Sequence, residues 1–146
     1  MATTRELQEK LVSSMTRWQD IEDAAIATTE DIIGKTSHPL IRTVMEIIQT
    51  DSKRHHQVQQ MIIDTLEKES VSISPEDLIE VWDLIENHIE IERKTVEFAT
   101  DALESVKGTK MVVIQYLIEY LLTDENKHNE LLDNLEGIKK AMYPYG

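Results

Sequence analysis

The sequence predicts an all-α protein, a four-helix bundle made from two copies of one helical hairpin. Three observations predict it. Forty per cent of the residues are apolar while only four are Gly and three Pro, a composition that favours long uninterrupted helices. Four segments of roughly 30 residues, about 45 Å each at helical rise, carry apolar residues at helical spacing. The chain also repeats itself. The run Thr50-Asp51-Ser52-Lys53-Arg54-His55 returns 73 residues later as Thr123-Asp124-Glu125-Asn126-Lys127-His128. Upstream, at an offset of 70, Leu11 falls on Val81, Met15 on Ile85, Glu22 on Glu92 and Ile26 on Val96.

The 146 residues form one domain, with hairpin one over 4–69 and hairpin two over 75–137. The first helix runs from about Thr4 to Ile33. Thr3 opens it with Glu6 three residues on, the spacing of a capping box, and Gly34 ends it by taking the left-handed conformation. The second starts near Ser37 or His38, with Pro39 in its first turn where a missing N–H is harmless, and continues to about Lys68. Residues Ser70 to Ser74 lack helical periodicity and read as a linker, either a short turn or a stretched crossover. Ser74-Pro75-Glu76-Asp77 is a helix start, with a cap, a proline and acids at the positive end of the helix dipole. The third helix reaches about Lys107, and Gly108-Thr109 turns it tightly into an antiparallel fourth. That helix ends near Glu136-Gly137, leaving a tail through Tyr143, Pro144 and Tyr145.

Composition bounds the function. The absence of cysteine excludes disulfides, thiolate metal sites and iron–sulfur clusters within this chain. A net charge of −13 argues against nucleic acid, whose phosphates need a basic footprint. It suits attraction of cations, and equally an ordinary solvated helical surface. The longest apolar run, Met111 to Leu122, is interrupted by Gln115 and Glu119 and is too short to span a bilayer. With a polar N-terminus entering a helix directly, the expectation is a cytoplasmic protein without a membrane segment.

The apolar stripe of each helix is interrupted near its middle by acid, or by acid with histidine. The stripes read Leu11, Met15, Trp18, Glu22, Ala25; then Ile41, Val44, Ile48, Asp51, His55, Val58, Ile62; then Leu78, Trp82, Ile85, Ile89, Glu92, Val96; then Val113, Leu117, Leu121, Asp124, His128, Leu131. The interruptions lie at comparable heights, so four helices are expected to deliver four carboxylates and two imidazoles to one place. Lys53, Arg54, Arg93 and Lys127 only flank the stripes. A bare carboxylate in an apolar interior costs on the order of several kcal/mol, and one or two divalent cations would remove that cost. Oxygen and imidazole donors suit iron, manganese or zinc better than calcium. His88, one turn before Glu92, is a candidate further nitrogen ligand. His56 is turned about 100° from His55 and is expected away from the site, while Trp18 and Trp82 are expected as core or interface anchors. A hydrogen-bonded polar network in a purely structural bundle is the competing explanation of the same cluster.

Two helical hairpins, each with an inward Glu on one helix and E-x-x-H on the next, describe the ferritin-like di-metal carboxylate proteins. The chain resembles that superfamily over nearly its whole length, in particular its rubrerythrin-type branch, here without a rubredoxin domain. Glu92 with Glu125-Asn126-Lys127-His128 matches the pattern, as do Glu22 and His55. The glutamate expected three residues before His55 is Ser52, a departure for which Asp51 is the candidate substitute. Aspartate four residues before histidine recurs as Asp124, so the fourth helix offers either Asp124 or Glu125. The resemblance implies metal ligands among Glu22, Asp51, His55, Glu92, Asp124 or Glu125, and His128. It further implies one or two iron ions with ferroxidase or peroxidase capacity, an external electron donor, and a homodimer.

Overall fold

The computed structural model describes residues 3–68 and 74–142. The chain is all-α, as its sequence predicts. Four long helices follow one another, α1 (Thr4–Lys35), α2 (Pro39–Glu67), α3 (Pro75–Val106) and α4 (Val112–Met142), and no strand occurs among the described residues. They pair as two hairpins, α1 with α2 and α3 with α4, in two compact units divided between Ser72 and Ile73.

The helix starts follow the local chemistry. Thr3 Oγ1 accepts from Glu6 N at 3.1 Å, while Glu6 Oε2 accepts from Thr3 N at 3.0 Å, a reciprocal capping box. Ser74 and Asp77 repeat the arrangement at α3: Ser74 Oγ accepts from Asp77 N at 3.2 Å, and Asp77 Oδ2 accepts from Ser74 N at 2.9 Å. His38 and Pro39 open α2 with no side-chain cap. In the turn between α3 and α4 Gly108 takes φ +73°, where a Cβ would be strained.

Two helix ends differ from expectation. Gly34 does not terminate α1: the helix passes through it to Lys35, and Thr36 leaves in an extended conformation. The reason lies across the turn. Arg42 Nη1 donates to the carbonyls of Ile33 at 2.7 Å and Thr36 at 3.1 Å, satisfying acceptors that a left-handed glycine cap would otherwise serve. Gly137 likewise lies inside α4, which continues to Met142. Glycine costs a helix interior about 1 kcal/mol. In the added turn Lys139 Nζ lies 4.2 Å above the Trp82 ring and Lys140 pairs with Glu136 at 3.6 Å. The linker lies mostly, and the C-terminal tail wholly, outside the described residues.

Each hairpin buries the seam between its two helices. In hairpin two the seam holds Leu78, Trp82, Ile89 and Val106, and in hairpin one Ile63. The stripes read from sequence are wider than these seams. Leu11, Trp18, Ile41, Ile48, Val58, Ile62, Val113, Leu117, Leu121 and Leu131 lie outside the seam of their own hairpin and are exposed. The seam of hairpin one also takes polar residues, with Gln19, Thr29, Ser52 and Gln59 buried beside Glu22. Gln19 Nε2 reaches over α2, donating to Gln60 Oε1 at 3.0 Å and to the His56 carbonyl at 3.3 Å.

The α3 cap sets two expected outcomes. Ser74→Ala should cost about 1 kcal/mol, read as a lower urea midpoint. The backbone N–H of Ser74, and then its hydroxyl, hold the Asp77 carboxyl below its ordinary 3.8, against a smaller upward effect of burial. A carboxyl lowered on folding stabilises fully above its unfolded value, and that contribution disappears as pH falls through the folded value. The stability gap between the wild type and Asp77→Asn should therefore be full at neutral pH and shrink below pH 3.8.

Candidate metal centre

Hairpin two gathers a compact acid–imidazole cluster. Glu92 continues the buried face of α3 set by Leu78, Trp82 and Ile89, and is only 7% exposed. On α4, Glu125 and His128 stand one turn apart and face it. One ligand atom from each of Glu92, Glu125 and His128 lies within 4.8 Å of the others. His128 Nδ1 is 3.5 Å from Glu92 Oε2 and 3.5 Å from Glu125 Oε2, so the imidazole nitrogen lies against both carboxylates.

Three further groups hold this cluster. His88 Nε2 hydrogen-bonds Glu92 Oε1 at 2.9 Å from one turn earlier on α3. Thr95 Oγ1 lies 2.9 Å from Glu125 Oε2, 3.4 Å from Glu92 Oε2 and 2.7 Å from the Glu92 carbonyl, bridging the two helices. Asp124 sits behind the ring: its Oδ2 is 3.5 Å from His128 Nε2, and its Oδ1 pairs with Lys127 Nζ at 2.8 Å. The geometry thus separates the two acids between which the sequence left a choice. Glu125 faces Glu92, whereas Asp124 faces the opposite nitrogen of His128.

The charge balance is consistent with a cation-binding cluster. A hydrogen bond with Glu125 does most to hold the Glu92 carboxyl below its ordinary 4.5. Burial pushes the other way, and the charge of His128 and the hydrogen bond and charge of His88 add to the lowering. Glu92 thus lies inside the seam next to a second carboxyl, with its own held below the ordinary carboxylate value. Two carboxylates and an imidazole form a hard-to-borderline donor set of the type that takes iron, manganese or zinc.

Hairpin one arranges the matching positions differently. Glu22 is equally buried at 7%. Its Oε1 accepts from Trp18 Nε1 at 3.1 Å and lies 3.3 Å from His55 Nδ1. Ser52 is buried where the repeat of hairpin two places Glu125. Asp51 is half-buried one turn before His55, whose own side chain is 58% exposed. His56 lies off the Glu22 pair, as its position on the helix predicts, with its Nδ1 2.9 Å from Asp23 Oδ1. Within hairpin one the structure brings Glu22 to His55, and within hairpin two it brings Glu92 to Glu125 and His128.

Thr95 was not among the residues singled out from sequence. The available signal was its place one turn after Glu92, on the same helix face. Trp18, expected as a core or interface anchor, is half exposed, and its indole N–H donates to Glu22. No helix among the described residues is long and apolar enough to cross a membrane. Compared with known protein families, with characterised proteins and with solved structures, the chain matches none.

Proposed function

We propose that this chain is a ferritin-like metal-binding protein whose cation is held by Glu92, Glu125 and His128. One observation carries the reading: a carboxyl buried in a helix seam meets a second carboxyl and an imidazole, with ligand atoms within 4.8 Å. Iron is the first choice, in one or two copies, with manganese or zinc as alternatives. Bound iron would supply one-electron chemistry toward O₂ or peroxide, so the activity proposed is Fe(II) oxidation or peroxide reduction of the rubrerythrin type. The protein's own part is to neutralise charge with Glu92 and Glu125 and to anchor the ion through His128. Asp124 orients that ring, and His88 and Thr95 hold the carboxylates. A cysteine-free chain draws its electrons from an external donor or from Fe²⁺ itself. A homodimer in the cytoplasm completes the reading.

A second reading, a non-catalytic helical scaffold with a degenerate site, is favoured by Ser52 standing where the ferritin-like pattern has glutamate.

Equilibrium dialysis against Fe²⁺ without oxygen, and against Mn²⁺ and Zn²⁺, separates the two. Stoichiometric uptake is expected. Loss of a supporting residue typically weakens metal binding by about 10–100-fold, so losing a ligand through His128→Ala should weaken it at least that much. Oxygen consumption on adding Fe²⁺ should fall in parallel. Metal at 100 times its dissociation constant should stabilise the fold by about 2.7 kcal/mol, and identical melting with and without metal would sink the proposal.

The metal-free protein offers an independent check. Glu125→Gln removes a carboxylate oxygen from the cluster, while its amide N–H can still hydrogen-bond Glu92. It should abolish tight metal uptake and leave the helicity of the metal-free form unchanged, read by circular dichroism. Unchanged uptake in the folded variant would contradict the assignment.

A further inference from the structure

We draw no further inference here: the strongest candidate, the apolar groove of hairpin one lined by Met15, Trp18, His55, Val58 and Ile62 with the buried Gln59, is an unpartnered helix face, and nothing in the structure shows what covers it.

Discussion

A carboxylate carried on the buried face of a helix is the constraint around which hairpin two is organised. Glu92 shares the face of α3 that carries Leu78, Trp82 and Ile89 into the seam, so folding removes its charge from water along with their apolar surface. Desolvation alone would push such a group toward its neutral form. Instead its carboxyl is held low by a hydrogen bond with Glu125 and by two histidines. Every polar neighbour of Glu92 is explicable as a response to that burial. His88 and Thr95 approach from its own helix, and Glu125 and His128 from the facing one.

Hairpin one meets the same constraint with other means. It buries Glu22 to the same extent and uses the indole of Trp18 where its twin uses imidazole. The surrounding seam is correspondingly polar, with Gln19, Gln59 and Ser52 buried and a side-chain ladder running from Gln19 through Gln60 to Asp64. Uncharged amides and hydroxyls can be buried at modest cost when hydrogen-bonded. A second carboxylate at position 52 would have required a further partner. Duplicated sequence thus supports two different solutions to one electrostatic problem, distinguished by a handful of side chains.

Most of the fold is legible in the sequence because it is local. Thr3 with Glu6 and Ser74 with Asp77 cap their helices within three residues, and Gly108 marks the one described turn that needs a positive φ. Where sequence misleads, the deciding partner is distant or the alternatives sit side by side. Gly34 reads as a stop, but Arg42, eight residues later, supplies the cap from the next helix. Asp124 and Glu125 both precede His128 by about one turn, and spacing alone does not say which faces Glu92. Only the packing of α4 on α3 turns Glu125 toward the cluster and leaves Asp124 behind the ring. Thr95 is not legible in the sequence for the same reason, since its contact reaches across to another helix.

The turn that carries α4 past Gly137 bears on more than helix length. Lys139 rests on the Trp82 ring, so α4 is clasped to α3 at one end of hairpin two, while the Gly108 turn joins the same two helices at the other. The acid–imidazole cluster lies between these fastenings. Fraying, which starts at free helix ends, must therefore undo a clasp before it can change the separation of Glu92 from Glu125. The spacing of the acid–imidazole cluster is thereby held from both ends of the hairpin.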